Sequence, residues 1–411
     1  MADIRPFAAM RPTKELVDQV AALPYDVYNR KEAKEVVEKE PKSFLRIDRP
    51  ETNFADDFDM YSDESYGKAK ELLWADFENG TYIEEEKAVY YLYELIMDGR
   101  SQTGIVAVSS IDDYLNGVIK KHENTREEKE QDRIRHIDTC SAQTGPIFLA
   151  YRAKKEIKEL VQKVKTAAPV YSFTKEDNVV NNVWVVDNVD DIKTIQTAFR
   201  NMDGIYIADG HHRAASAVKV GLKRRSENPN YDGSEEFNYF LSVLFPDDEL
   251  AILPYNRVVK DLCGRTPEEF LMEVAEVCDV TLEEAIPYQP EKKGDFGMYL
   301  NGNWFSLSIH EELRSDDAVE GLDVSLLQNY ILGPILQIED PRIDKRIDFV
   351  GGIRGLGELE KRCESDMQVA FSMYPTSIGE LFGVADAGLL MPPKSTWFEP
   401  KLRSGIFIHK I

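Results

Sequence analysis

A stretch near the middle of the chain, Gly204-Ile205-Tyr206-Ile207-Ala208-Asp209-Gly210-His211-His212-Arg213-Ala214-Ala215, leaves little freedom in how it folds. Apolar residues run into an acidic-glycine pair, and good helix formers follow as far as Gly221. The pattern reads as strand, turn, helix. Asp209 stands where a helix N-cap is expected, Gly210 relieves the backbone at the turn, and Gly221 is placed to end the helix. Two imidazoles and a guanidinium thus crown a helix N-terminus, where N–H groups without intrahelical acceptors and partial positive charge favour a phosphate or carboxylate. Arg213 adds a bidentate fork for such an anion. His211 and His212 donate hydrogen bonds or move protons near neutral pH, and Asp209 accepts a proton or holds a metal ion. The competing reading makes Asp209 a helix cap and the histidines ordinary polar residues. Only six histidines occur in the chain, and two of them adjacent here favour the chemical reading.

The remaining chain sets bounds on that chemistry. A length of 411 residues exceeds one comfortable core, so two domains are expected. Lysine and arginine number 50 against 74 aspartates and glutamates, a formal charge of -24. That balance argues against a nucleic-acid or anionic-membrane surface, while leaving room for a basic pocket inside an acidic shell. The N-terminus lacks an apolar leader and no long apolar run appears, so a cytoplasmic protein is expected. Cys140, Cys263, Cys278 and Cys363 show no paired metal-ligand spacing; they read as reduced thiols, with no zinc site.

Periodicity predicts helices over 30–40, 54–79, 153–168 and 190–200, and strands over 43–48, 182–186 and 239–245. Two strands flank Asp98-Gly99 as a hairpin, and Thr266-Pro267-Glu268-Glu269 opens a further helix. The alternation of strands and helices argues for an α/β layer, in a chain of mixed α+β class. The expected division is a catalytic region over 1–258, with an inserted segment around 50–200, and a C-terminal α+β domain over 259–411.

Several other residues look chemical. In Leu23-Pro24-Tyr25-Asp26-Val27 the proline turn holds Asp26 at a cleft edge. In Lys121-His122-Glu123-Asn124-Thr125-Arg126, His122 and Glu123 are expected to face an active cleft, with His122 and Arg126 four apart on a helix. Asp132, Arg133 and His136 continue that segment towards Thr144-Gly145-Pro146-Ile147. Arg257 is a cation candidate for substrate. Met391-Pro392-Pro393-Lys394-Ser395-Thr396 presents a lysine and two hydroxyls from a stiff diproline, suited to phosphate though without the glycines of a P-loop. The fingerprints of dinucleotide-binding, zincin and serine-hydrolase sites are absent.

With these residues in view, the chain resembles the bacterial and archaeal family catalogued as domain of unknown function 1015, through Leu23–Val27, Thr144–Ile147, Ala208–Arg213 and Met391–Thr396. The Asp-Gly-His-His-Arg core also resembles the signature of free serine kinases in the ParB/sulfiredoxin-like superfamily. That resemblance implies a ParB/sulfiredoxin-like catalytic core with insertions, and the C-terminal α+β domain would contribute the Pro-Pro-Lys-Ser-Thr loop. It implies Asp209 as an acid/base or metal-orienting residue, and His211, His212 and Arg213 with Gly210 around phosphate. Glu123 or Asp26 would deprotonate the acceptor hydroxyl, Lys394, Ser395 and Thr396 would add phosphate contacts, and Asp26, His122 and Arg257 would hold substrate. The implied activity is a nucleotide-dependent phosphotransferase for a small hydroxylated metabolite, free serine first, with Mg2+ and ATP or ADP. A phosphatase of phosphoserine or a related phosphomonoester, and a nucleotide- or metabolite-sensing regulator without catalysis, are the alternatives. The expected partners are a metabolite and a nucleotide, with neither nucleic acid nor membrane, and a homodimer is the assembly to test.

Overall fold

A computed structural model describes residues 1–411. The chain forms two compact units: residues 1–121, 125–250 and 400–411 make the first, and residues 122–124 and 251–399 the second.

The first unit is built on a nine-stranded mixed sheet. Its strands run in the order Ile119–Lys120, Ile205–Asp209, Ile147–Tyr151, Tyr239–Pro246, Arg100–Ser110, Tyr90–Met97, Val180–Val186 and Tyr171–Thr174, and Ile4–Arg5 joins beside Arg100–Ser110. Strand alternation divides the side chains between two faces. On one face Tyr90, Leu92, Ile105, Ile147, Ile207 and Leu244 share a core with Leu160, Ile195, Phe199, Ala214 and Val218 from three helices. Tyr91 and Tyr93 point the other way and meet Phe407 of the C-terminal segment, with ring centroids 5.1 and 5.9 Å apart. The expected hairpin at Asp98-Gly99 is present, both residues having positive φ. Only two strand pairs are parallel, Ile205–Asp209 with Ile119–Lys120 and Tyr239–Pro246 with Ile147–Tyr151. The layer is therefore mixed α/β, as expected, without being a regular parallel βαβ series.

The second unit carries a six-stranded antiparallel sheet ordered Cys278–Leu282, Asn303–Ile309, Asp295–Leu300, Val369–Met373, Tyr255–Val259 and Ile347–Gly351. Val258, Trp304, Val350, Leu359 and Ala370 form its core. The helix Pro267–Val274 opens on the expected capping box, Thr266 accepting from the Glu269 N–H and Glu269 accepting from the Thr266 N–H.

The units differ from the expected division in three ways. The break falls at Leu250/Ala251, because strand Tyr255–Val259 is hydrogen-bonded on both sides within the second sheet. Residues 400–411 return to the first unit, where His409 pairs with Gln143 and Ile408 with Met10. Residues 50–200 are not a separable insertion, since Tyr90–Met97 and Arg100–Ser110 are interior strands of the first sheet.

Locally, 43–48 is no strand. Leu45–Asp48 is one helical turn, in which Leu45, Ile47 and Asp48 are buried together with the N-cap residue Phe44. An apolar pattern this short fits either period, and packing on two sides selected the helix. The helix after Gly210 also runs past Gly221 to Glu227. Gly221 is there for space: a Cβ at this position would lie 2.5 Å from the Phe237 carbonyl oxygen and 2.8 Å from Ile111. Gly221→Ala should therefore destabilise the protein by roughly 1–3 kcal/mol, the usual cost of overpacking, although alanine in a helix interior is normally favoured by about 1 kcal/mol. Urea unfolding measures it, and a rise in the midpoint would contradict the packing account.

Candidate functional site

Strand Ile205–Asp209, paired on both sides, carries Asp209 at its C-terminal end, and Gly210 turns the chain into helix His211–Glu227 with φ of 93°. Left-handed backbone favours glycine, and the space is tight as well: a Cβ on Gly210 would stand 3.0 Å from Arg213 Nε. The Asp209 Oδ1 atom accepts from the Gly210 N–H at 2.8 Å. Its Oδ2 atom lies 3.4 Å from Lys401 Nζ and 3.8 Å from Arg213 Nη2. Burial alone would raise this carboxyl, but the Lys401 and Arg213 charges outweigh it and hold Asp209 well below the usual carboxylate range. Asp209 is thus ionised at neutral pH and suited to orienting cations; proton donation from it is disfavoured.

Arg213 is buried and runs under the turn, where Nη1 donates to the Pro146 carbonyl at 2.5 Å. It thereby ties the Asp209 turn to Thr144-Gly145-Pro146. The two histidines are not equivalent. His212 Nε2 accepts from the Arg126 backbone N–H at 2.9 Å. Burial and Lys129 push this imidazole down, against the opposing pull of Glu130 and Asp26, so the neutral acceptor form is the stable one. His211 is the first residue of the helix and is buried.

Beside Arg213 lies a pocket of about 450 Å³, whose polar lining includes Tyr25, Asp48, Arg133, His136 and Thr144. Arg133 is clamped by Asp132 through Nε and Nη2 at 2.8 and 2.7 Å and lies 4.0 Å above the Tyr25 ring. Burial disfavours its charge, yet Asp132, Tyr25 and Asp48 more than compensate. Burial pushes the Tyr25 hydroxyl up to about 12. Burial, aided by the Arg133 charge, depresses His136; its Nε2 faces the Ile47 carbonyl at 3.0 Å, which identifies the neutral tautomer with Nε2–H. Asp48 Oδ1 accepts from Thr144 Oγ1 at 2.8 Å. Two guanidiniums and one buried carboxylate thus border a small cavity, an arrangement complementary to an anion or zwitterion.

The sequence-predicted residues fall in two groups. Asp209, Gly210, His211, His212, Arg213 and Asp26 belong to the first unit; His122, Glu123, Arg257, Lys394, Ser395 and Thr396 belong to the second. His122 and Glu123 are not helical: the helix begins at Glu127, with Arg126 as its N-cap residue, so the expected four-residue pairing of His122 with Arg126 on a helix fails. The His122 carbonyl accepts from the Met391 N–H at 2.8 Å. Ser395 Oγ donates to the Pro392 carbonyl at 2.6 Å, which commits that hydroxyl to the loop and weakens its reading as a phosphate contact. Thr396 follows, half-buried. Lys401 and Asp48 were not singled out by sequence reasoning, and Lys401 carries no local signal, standing 192 residues from its partner.

The family model described as Protein of unknown function (DUF1015) matches residues 4–325. The chain belongs to that family. The Asp209–Arg213 turn and Thr144–Ile147 lie inside the matched stretch of this DUF1015 protein, and Pro392–Thr396 lies outside it. No curated protein matches the sequence. Among solved structures it is similar to a free serine kinase in complex with AMP, at 13% identity and a TM-score of 0.38, over 74% of this chain and 91% of the other. It is similar also to a truncated SbnI from Staphylococcus aureus, at 12% identity and a TM-score of 0.38, over 72% and 82%. A conserved hypothetical protein from Pyrococcus furiosus shows 16% identity and a TM-score of 0.36, over 74% and 94%. No helix is long and apolar enough to cross a membrane.

The ionic contacts of Asp209 give a test. Lys401→Met removes the nearer cation, so the Asp209 carboxyl should titrate at higher pH, followed by the carbon-13 shift of its carboxyl. A carboxyl depressed on folding stabilises the fold above its unfolded value near 3.9, and that contribution is lost as pH falls below it. Stability of Lys401→Met should therefore fall less steeply than wild type under acid. An unmoved carboxyl midpoint would show that Lys401 does not set it.

Proposed function

We propose that this DUF1015 protein is a nucleotide-dependent phosphotransferase acting on a small hydroxylated metabolite, with free serine the first acceptor to try. The observation that carries this reading is the helix N-terminus at Gly210, where an ionised Asp209 sits between Lys401 and the buried Arg213, beside a pocket bordered by Arg133. Phosphoryl transfer asks a protein for positioning and for positive charge around the transferred group. N–H groups at a helix start and a guanidinium within one turn meet that demand.

In the proposed reaction the acceptor hydroxyl oxygen attacks the terminal phosphorus of ATP or ADP, the bond to the bridging oxygen breaks, and the nucleotide leaves with that electron pair. The hydroxyl proton passes to a carboxylate, for which Asp26 is the candidate in the first unit, close enough for its charge to act on His212. Arg213 and the N–H groups of the first helical turn would hold phosphate oxygens. No cluster of three or more His, Cys, Asp or Glu residues is present that would cage a metal ion. A single ionised carboxylate fits Mg2+ that takes its other ligands from phosphate and water, and Asp209 would hold it; the ion would supply charge neutralisation on the phosphates.

Phosphorus NMR of the protein with Mg2+, L-serine and ATP or ADP tests the reading, with O-phosphoserine alone in parallel. Phosphoserine should form, and Asp209→Asn should lower kcat/KM by roughly 10²–10³-fold, the cost of losing a key electrostatic group, while remaining folded. Phosphate release from O-phosphoserine without nucleotide would replace the kinase by a phosphatase. Nucleotide binding without turnover of any hydroxylated acceptor would replace it by a sensor.

A further inference from the structure

Five arginines are buried in this chain: Arg49, Arg133, Arg213, Arg257 and Arg403. Four of them have a carboxylate within 4 Å, namely Glu51, Asp132, Asp209 and Asp177 respectively. Arg257 has none. It is 3% exposed, and its hydrogen bonds go only to backbone carbonyls, Nη1 to Tyr255 and Nη2 to Lys394 at 3.1 Å.

The fold explains where this cation stands. Arg257 is the middle residue of strand Tyr255–Val259, in register with Phe349 on one side and Phe371 on the other. Val258 packs into the core of the second unit, so Tyr255 and Arg257 face the opposite side of the sheet. There the guanidinium lies 5.5 Å from the Phe349 ring centroid, and Tyr255 meets Trp397 edge-on at 5.0 Å. A charge removed from water into such surroundings is expensive when no opposite charge accompanies it, and two carbonyl acceptors do not supply one. Burial lowers its affinity for the proton to about 10, which still leaves it charged at neutral pH.

The loop beside it is shaped to present a second cation. Lys394 adopts φ of 57°, uncommon for a residue with a side chain, and this turns its carbonyl to Arg257 while its ammonium lies 5.4 Å from the Tyr255 ring centroid. Ser395 Oγ closes the loop on Pro392, and Thr376 Oγ1 donates to the Ser395 carbonyl at 2.9 Å. Strain held by a braced loop next to an uncompensated charge marks a functional position better than either alone.

We propose that Arg257, with Lys394 at its rim, binds the oxyanion of a small carboxylate- or phosphate-bearing ligand within the second unit. The guanidinium fork would grip two ligand oxygens and Lys394 would add a point charge. The site uses no residue of the Asp209–Arg213 turn, so it stands or falls independently of phosphoryl transfer.

The test uses the full chain labelled with 5-fluorotryptophan, the Trp397 resonance being assigned through Trp397→Phe. Inorganic phosphate and acetate are titrated separately, which distinguishes the two sources of oxyanion. The Trp397 resonance should shift saturably with at least one. Arg257→Gln should weaken that binding by about tenfold or more, as expected when a charge-assisted fork is lost. Arg213→Gln should leave it unchanged. Arg257→Lys, which keeps the charge and loses the fork, should weaken binding several-fold and decides the matter if the glutamine variant does not fold. A Trp397 resonance indifferent to both anions, a shift that never saturates, equal binding by the folded Arg257 variants, or loss of the shift in an Arg213→Gln variant shown to be folded would each overturn the proposal.

Discussion

The salt link from Asp209 to Arg213 and Lys401 joins three parts of the first unit that are distant in sequence: the Asp209 turn, Thr144-Gly145-Pro146 through Arg213, and the C-terminal segment through Lys401. Arg213 reaches the Pro146 carbonyl by passing beneath residue 210, so a Cβ there would crowd its guanidinium at 3.0–3.1 Å, and the left-handed backbone of φ 93° disfavours a side chain in any case. Glycine suits the turn, and the strand before it ends in an acid that offsets the buried guanidinium before the helix starts at His211. The same acid draws in Lys401 from the C-terminal segment, whose Ile408 and His409 are hydrogen-bonded to Met10 and Gln143. An acidic protein thus buries a few arginines, and four of the five are held by a specific carboxylate, Arg257 being the exception. Net charge describes its outer surface and says little about what its pockets attract.

What the sequence disclosed follows the range of the forces involved. The strand, turn and helix around Asp209 were legible because local propensity, glycine and hydrophobic pattern agree there within fifteen residues. The helices Arg30–Lys39, Lys155–Val164 and Val189–Arg200 were legible for the same reason. Leu45–Asp48 was not, because four residues cannot declare a period, and its helical turn is set by Phe44, Leu45 and Ile47 finding buried neighbours. Lys401 and Asp48 were invisible because their partners, Asp209 and Thr144, are distant in sequence and the contact leaves no spacing to read. Gly221 misled for a related reason. A glycine after a run of helix formers normally ends the helix, but here it admits the Phe237 carbonyl, a constraint from outside the helix.

The paired histidines show how far residue type alone can carry a functional argument. Two adjacent imidazoles suggest shared chemistry, yet successive helical residues point about 100° apart and meet different surroundings. His212 faces the helix Glu127–Cys140, and by accepting the N–H of its N-cap residue Arg126 it takes the part that a third-position glutamate plays in a capping box. The contact begins a stripe. Ser216 Oγ donates to the Glu130 carbonyl at 3.1 Å, Lys219 pairs with the Glu130 carboxylate, and Lys223 pairs with Asp138 at 2.6 Å. Steps of four, three and four residues keep these side chains on one face. The helix that begins at the Asp209 turn is thereby bolted along its length to the helix that carries Arg133 and His136 into the pocket. Anion-binding turn and pocket wall are in this way set by one helix pair, and their relative position does not depend on the loops between them.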